Sequence, residues 1–169
     1  PDRWYYWCDK LGLLVWQDMP SGFLPAQFVA PNDQEEGLRG ARATETFDLE
    51  LHRMINHLAH HPSIVIWVLH NEGWGQFDTH RLAQSMKLLD PHRLVNASSG
   101  WLDVGAGDLI DKHDYEPEPT PPDSDGKRAL VIGEYGGVGW PVDGHQWNPE
   151  MRNWGYQTFH SEEEVKAAY

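Results

Sequence analysis

Two glutamates, Glu72 and Glu134, are the side chains of this sequence whose type and placement best suit acid–base chemistry. Each follows a short apolar run, at residues 64–69 and 129–133, and Asn71 stands directly before Glu72. Hydrolysis of a glycosidic bond needs two carboxyl groups, one to protonate the leaving oxygen and one to attack or stabilise the oxocarbenium-like sugar centre. The pair therefore indicates glycoside hydrolysis.

The two apolar runs must hold these carboxyl groups in place. Both are apolar on both alternating faces and rich in β-branched residues, which is typical of strands buried on both sides in a parallel sheet. In such folds ligands bind at the carboxyl ends of the strands. Runs at residues 13–16, 94–98 and 109–115 predict three further strands, and the charged, proline-containing residues 21–40 predict a long loop.

Helical patterns separate the predicted strands. Apolar residues recur with helical spacing over residues 44–60, and Asp78 is a suitable N-cap for a second amphipathic helix over residues 79–89. Residues 2–10 indicate a helix stopped by a glycine, and Ser161 followed by three glutamates indicates a final helix start. The fold class is therefore α/β, with parallel strands and outer helices.

Three segments resemble the catalytic barrel of glycoside hydrolase family 2: His61-Pro62-Ser63-Ile64-Val65-Ile66-Trp67, Asn71-Glu72 and Gly133-Glu134-Tyr135-Gly136-Gly137. This family contains β-galactosidases, β-glucuronidases and β-mannosidases. The resemblance covers most of the chain, from Trp4 to Trp154. It implies a partial (β/α)8 TIM barrel to which the chain contributes about five parallel strands, the third to the seventh, with outer helices.

The resemblance implies a retaining β-glycosidase, with a β-galactosidase-like activity favoured, in which Glu72 is the acid/base and Glu134 the nucleophile. Asn71 would then bind the sugar 2-hydroxyl, and the Tyr135 hydroxyl would hold Glu134 ionised. His113 would line the pocket rather than stand as a surface histidine at a strand end. The other implied substrate-binding residues are Trp101, Tyr115 and Trp140.

The separation of the two carboxyl groups follows from their expected positions. Neighbouring strand ends on one barrel rim predict a separation of about 5–5.5 Å, the spacing of retaining enzymes, rather than the roughly 6.5–9.5 Å of inverting ones. Asp18 follows the first apolar run, where its carboxylate could contact sugar hydroxyls or cap the next loop. The loop role is favoured.

Metal binding is suggested by the spacing of His57, His60 and His61, yet the sequence shows no carboxylate or thiolate partner near them. The magnesium-binding motif that some members of the resembled family carry after the third strand is missing. No metal and no cofactor are therefore expected.

The length of the chain bears on its organisation. A complete eight-stranded barrel takes about 250 residues, whereas this chain has 169 and opens on Pro1. Together with the resemblance, this predicts a single segment, residues 1–169, of the barrel of a larger glycosidase. The expected partners are a β-glycoside substrate, the remainder of that glycosidase and, as an open option, further copies in an oligomer.

Composition excludes some partners. The formal net charge of −13 disfavours nucleic-acid binding, which needs a cationic surface. No membrane span or signal peptide is visible, and the single cysteine, Cys8, excludes an internal disulfide but leaves the compartment undetermined.

Three alternatives remain beside the favoured function. The nine tryptophans would suit a carbohydrate-binding module, although each tryptophan could equally belong to a core, and a binding module does not need two strand-end glutamates. A serine hydrolase could use Ser98 or Ser99, but no Gly-x-Ser-x-Gly elbow occurs. Thirdly, the chain could be a catalytically incomplete piece of a glycosidase. The sugar and linkage cleaved are not determined by the sequence.

Overall fold

The computed structural model describes residues 1–20, 22, 28–29 and 35–169. Helices and short strands alternate along the chain. In order they are α1 Asp2–Leu11, β1 Val15–Asp18, β2 Phe28–Val29, β3 Leu38–Arg39, α2 Ala41–Leu58, β4 Ile64–Val68, α3 Thr79–Leu89, β5 Leu94–Asn96, β6 Ser99–Gly100, β7 Leu109–Asp114, β8 Ala129–Tyr135, β9 Val138–Gly139, β10 Gln157–Thr158 and α4 Glu162–Ala168.

Two three-stranded sheets contain the strands predicted from the sequence, in the orders β1-β4-β5 and β6-β7-β8. Every pair within them is parallel. The sheets meet at a parallel bridge between Asn71 and Ser99, where Ser99 N donates to the His70 carbonyl at 2.8 Å. The α/β class with parallel strands is therefore confirmed.

The strand predicted at residues 94–98 ends early, at Asn96 in β5, and the separate strand β6 begins beyond it at Ser99. Asp108 binds the backbone of Val95, in the middle of β5, through two hydrogen bonds. The Val95 amide donates to Asp108 Oδ2 at 2.8 Å, and the Val95 carbonyl accepts from the Asp108 amide at 2.8 Å. Strand β6 belongs to the second sheet.

Most of the predicted loop at residues 21–40 lies outside the described residues. The part that is described contains an unpredicted antiparallel ladder of β2 with β3, in which Phe28 pairs with Arg39 and Val29 with Leu38.

The helices agree with the sequence patterns, with small shifts of their ends. Helix α1 ends at Leu11, and Gly12 follows with a φ of 71°, a conformation that glycine adopts without strain. Helix α2 begins and ends a few residues earlier than predicted, whereas α3 has the predicted bounds. At α4, Ser161 Oγ accepts from the Glu164 amide at 3.2 Å, the predicted N-cap.

The predicted N-cap of α3 is wrong. Asp78 makes no side-chain bond to the helix amides, and its carboxylate instead accepts from Arg81 Nε. The Thr79 amide donates to Glu36 Oε1 at 3.0 Å, so a residue distant in sequence satisfies the helix start.

Strand β4 is buried on both faces, as its apolar sequence predicted. Trp67 and Leu69 belong to the core that includes the apolar faces of α2 and α3. Ile66 and Val68 pack with Leu109 of β7 in a second cluster. Full burial of each such side chain contributes about 1.5–3 kcal/mol. Among the described helices none is both long and apolar enough to cross a bilayer.

A buried polar network fixes the start of β4. The Trp67 indole donates to Asp90 Oδ2 at 3.0 Å, and Arg93 Nη1 donates to the same oxygen at 2.5 Å. Arg93 also donates to the carbonyls of Ile64 and His61 at 2.6 and 2.8 Å. Burial acts to raise the pKa of Asp90, but the bonds from Arg93 and Trp67 outweigh it and hold the pKa below its usual value.

His70, directly before Asn71 and Glu72, makes the stability of this strand end sensitive to acid. Its ring is buried, stacks on Phe47 and lies 3.2 Å from the Phe77 carbonyl through Nε2. Burial lowers the pKa of His70 to about 4. Because the unfolded chain takes up the proton near pH 6.5, the folded state loses stability as pH falls from about 6.5 towards 4.

We therefore expect His70→Gln to weaken the pH dependence of folding. Glutamine can still donate to the Phe77 carbonyl but does not titrate. The fall in the free energy of unfolding between pH 7.5 and 4.5, measured by urea denaturation, should be smaller by about 2–3 kcal/mol in this variant. Exposed His160 provides the control, since His160→Gln should leave the fall unchanged. Equal falls in wild type and His70→Gln would contradict the prediction.

Candidate active site

Glu72 lies where the chain leaves β4, and its backbone is held in a strained conformation. Its φ is 51°, in the left-handed region that costs a non-glycine residue about 1–3 kcal/mol. The Glu72 amide donates to the Ser99 carbonyl at 2.7 Å, which anchors this residue to β6. The side chain is 16% exposed. Such strain persists only where the surroundings impose it, and it clusters at functional sites.

Glu134 lies at the carboxyl end of β8, opposite His113 of β7. The register of β8 shifts here, because Gly133 is an extra residue between the pairs Ile132–Lys112 and Glu134–His113. An extra residue of this kind re-aims the side chains that follow it. The Glu134 side chain is 47% exposed, much more than that of Glu72.

Tyr115 joins the two glutamates. Its hydroxyl lies 2.5 Å from Glu134 Oε2 and 3.1 Å from Glu72 Oε1. Burial, followed by the bond to Glu134, raises the pKa of Tyr115, so the hydroxyl keeps its proton. A carboxylate oxygen of each glutamate and a ring nitrogen of His113 all lie within 4.8 Å of one another. The donor that contacts Glu134 is therefore Tyr115, not Tyr135 as the sequence suggested.

His113 is buried between both glutamates and a serine. Its Nδ1 lies 3.0 Å from Glu72 Oε1, and its Nε2 lies 2.9 Å from Ser99 Oγ. Nε2 also lies 3.7 Å from Glu134 Oε1. The side chain has no exposed surface, so His113 is not a surface histidine at a strand end.

Asp111 accepts hydrogen bonds from several residues that support this cluster. Its carboxylate accepts from Asn96 Nδ2 at 2.6 Å, from Ser99 Oγ at 2.8 Å and from the Gly133 amide at 2.7 Å. The bond to Gly133 requires glycine there, because a Cβ would lie 2.3 Å from Asp111 Oδ1. Sequence analysis missed Asp111, although strand periodicity puts it on the same face as His113. Ser99 was considered only as a serine-hydrolase nucleophile, and Asn96, for which the sequence carried no such signal, was not predicted.

Asp18 also faces this rim. It is the last residue of β1, and burial, followed by the negative charge of Glu134, raises its pKa. The role in capping a loop that the sequence favoured stays a prediction, because most of the loop that follows lies outside the described residues.

The aromatic side chains occupy different places around the glutamates. Tyr135, Trp154 and Tyr156 line an open cavity of about 380 Å³ together with Glu134. Tyr156 stacks on Tyr115 with ring centroids 3.7 Å apart.

The three other residues predicted to bind substrate occupy different places in the structure. Trp140 lines a second cavity, of about 430 Å³, that also borders Trp154. Trp101 follows β6 and is exposed. Asn71 adjoins Glu72 and forms the bridge to Ser99 through its backbone.

The described residues offer one close group of metal-ligating atoms, on Glu72, His113 and Glu134. Both His113 nitrogens are engaged in the hydrogen bonds given above, so we assign no metal to this group. The expectation that no carboxylate lies near His57, His60 and His61 is wrong, because α1 supplies two. His61 Nδ1 lies 2.7 Å from Asp9, and His57 Nε2 lies 3.3 Å from Asp2.

Parallel strands whose carboxyl ends gather two glutamates, a histidine and a tyrosine define an α/β protein with its site on the rim of a sheet. The family described as glycosyl hydrolases family 2, TIM barrel domain, matches residues 1–119, and the chain belongs to this family. Glu72, His113 and Tyr115 fall within the matched residues, and Glu134 follows them.

The chain is also similar to several named proteins. A β-galactosidase of Leuconostoc mesenteroides is 30% identical over 111 residues, which are 64% of this chain and 10% of the relative. A β-galactosidase of Klebsiella pneumoniae is 31% identical over 111 residues, which are again 64% of this chain and 10% of the relative. The crystal structure of Parabacteroides merdae β-glucuronidase aligns with a TM-score of 0.48 and 22% identity, covering 67% of this chain and 14% of that one. The chain thus spans about a tenth of the length of the curated relatives it matches.

We expect Gly133→Ala to destabilise the site through Asp111. The added methyl would overlap Asp111 Oδ1, and overpacking of this kind costs about 1–3 kcal/mol in unfolding free energy. The matched test is a double-mutant cycle with Asp111→Ala, measured by urea denaturation. Asp111→Ala removes the overlapping atoms, so the double variant should lose less stability than the sum of the single variants. Additive losses would show that Gly133 does not act through Asp111.

Proposed function

We propose that this chain contributes the catalytic glutamates of a retaining β-glycosidase. The observation that carries the proposal is the joining of Glu72 and Glu134 by the Tyr115 hydroxyl, with carboxylate oxygens within 4.8 Å. This close approach fits the separation of about 5–5.5 Å in retaining enzymes better than the roughly 6.5–9.5 Å that leaves room for water in inverting ones.

The surroundings of the two glutamates suggest how they divide the reaction. Glu134 opens onto the cavity and receives the Tyr115 hydroxyl, which steadies its negative charge, so it is suited to attack the anomeric carbon. Glu72 is the more enclosed and contacts His113, which suits a group that exchanges a proton. The glycosidic C–O bond breaks as Glu134 bonds to the sugar and the leaving oxygen takes the proton of Glu72.

In the second half of the reaction the proton moves in the opposite direction, towards Glu72. Water attacks the anomeric carbon of the glycosyl-enzyme, Glu72 accepts the water proton, and the bond to Glu134 breaks. Tyr115 remains protonated throughout, since its raised pKa keeps it a donor to the released carboxylate.

The family and the named relatives support a choice of substrate class. Membership of glycoside hydrolase family 2 and the β-galactosidase names of the curated relatives support a β-galactoside as the first substrate to test. In this assignment β1, β4, the β5–β6 pair, β7 and β8 are the third to seventh strands of a TIM barrel. Polypeptide beyond residues 1–169 would complete the barrel and its sugar site.

Carbohydrate binding without turnover is the second candidate. It is favoured by the cavity that Trp140, Trp147 and Trp154 line, because tryptophan rings offer flat apolar faces to a sugar. Variants of Glu72 and Glu134 distinguish hydrolysis from binding alone. If the chain only binds carbohydrate, replacing these glutamates has no chemical step to affect.

We expect the glutamate variants to fail at different steps. The assay uses aryl β-galactosides and the natural polypeptide that contains residues 1–169. Glu72→Ala should still release a phenol that departs without a proton, while hydrolysis slows by about 10²–10⁴-fold, the usual worth of general acid–base help. Azide should restore turnover and give a glycosyl azide of retained configuration. Glu134→Ala should lose hydrolysis, and azide should give an inverted product.

Exposed Glu118 provides the control, since Glu118→Ala should keep wild-type kinetics. An inverted azide product from Glu72→Ala with a retained one from Glu134→Ala would mean that the two roles are exchanged. Wild-type-like turnover in both variants would contradict the proposed function.

A further inference from the structure

The hydrogen bonds of Asp111 determine the direction of the bond between Ser99 and His113. Asp111 receives the Gly133 amide and the Asn96 side-chain amide, so its carboxylate acts as an acceptor. Ser99 Oγ, 2.8 Å from the same carboxylate, must therefore direct its single proton to Asp111. A lone pair of the Ser99 hydroxyl is left to face His113 Nε2 at 2.9 Å.

His113 Nε2 must then carry a hydrogen. The other group near Nε2, Glu134 Oε1 at 3.7 Å, is also an acceptor, which favours the same assignment. A neutral imidazole holds one hydrogen only, so Nδ1 presents a lone pair. That lone pair faces Glu72 Oε1 at 3.0 Å. Two acceptors at this distance repel each other unless a proton lies between them.

We propose that His113 is a positioning residue for the acid/base Glu72, and that the pair retains one proton because Asp111 and Ser99 fix the imidazole as its Nε2–H form. The pair exists as a carboxylic acid facing neutral imidazole or as a carboxylate facing imidazolium. This inference rests on the proposed function and goes beyond it, because it assigns His113 to the acid/base rather than to the sugar.

The proton balance of the reaction follows. In the first step the shared proton passes to the leaving oxygen, which leaves a carboxylate facing neutral imidazole. In the second step the attacking water returns one proton to the pair as its oxygen bonds to the anomeric carbon. The pair thus ends the cycle as it began.

The groups around His113 favour retention of this proton. They come from the end of β4, from β8, from β7 and from β1, and they are Glu72, Glu134, Asp111 through Ser99, Tyr115 and Asp18. Each of these is acidic or neutral. Negative charge around an imidazole favours its protonated form.

The first test is the pH dependence of kcat/KM in the natural polypeptide that contains residues 1–169. In His113→Gln the amide can donate to Glu72 but cannot hold the shared proton. The basic limb should therefore move to lower pH by about one unit, the shift expected on losing a charge partner at this distance. His52→Gln is the matched control, because His52 is exposed and its Nε2 also lies 3.1 Å from a serine hydroxyl, that of Ser85.

The outcome that overturns the proposal is an equal loss of rate at every pH in His113→Gln, with no movement of the basic limb. Such a result would mean that His113 only packs beneath the glutamates. Movement of the limb in His113→Gln, with none in His52→Gln, supports the proposal.

The second test needs no turnover. In protein labelled with ¹⁵N-histidine, the nitrogen shifts of His113, assigned by their loss in His113→Gln, should show a protonated Nε2 at neutral pH. Ser99→Ala removes the acceptor and should give a mixture of both tautomers. A neutral ring protonated at Nδ1 alone would overturn the proposal. Lack of wild-type turnover on any β-glycoside would instead overturn the proposed function, and the nitrogen shifts would still decide the role of His113.

Discussion

The buried carboxylate of Asp111 is the constraint on which the site depends. At the point where β8 carries an extra residue, the Gly133 amide has lost its ladder partner, and Asp111 accepts its hydrogen bond. The same carboxylate holds Ser99, which in turn holds His113. One side chain therefore stabilises the irregularity that aims Glu134 and sets the ring that contacts Glu72.

The sheet and its helices supply the stiffness that this polar cluster needs. Strand β4 is buried between two apolar clusters, and the network of Trp67, Asp90 and Arg93 fixes its start. The strained backbone of Glu72 at its far end is held by the amide bond to Ser99. Packing energy spread over the core thus maintains a local conformation that the residue alone would not adopt.

Apolar runs, helix periodicity and the resemblance predicted the α/β class, the main helices and the two glutamates at strand ends. These features depend on local pattern, which a sequence displays. The bond of Glu36 to the start of α3 and the bond of Asp108 to Val95 were missed, because each depends on a side chain from another segment. The hydroxyl group that contacts Glu134 was expected to be that of Tyr135, and it is that of Tyr115. The extra residue at Gly133 had no visible signal, whereas period-two reading of β7 could have found Asp111.

The positions of the two strands in their sheets imply an inequality between the glutamates. Glu72 follows β4, which has a neighbour on each side, β1 and β5. Glu134 lies on β8, which among the described residues pairs with β7 alone. The backbone that carries Glu134 therefore has fewer strand neighbours to hold it than the backbone that leads to Glu72. A further strand paired along the open edge of β8 would hold Glu134 more firmly. The separation of the two carboxyl groups is therefore adjustable from a surface remote from Glu72.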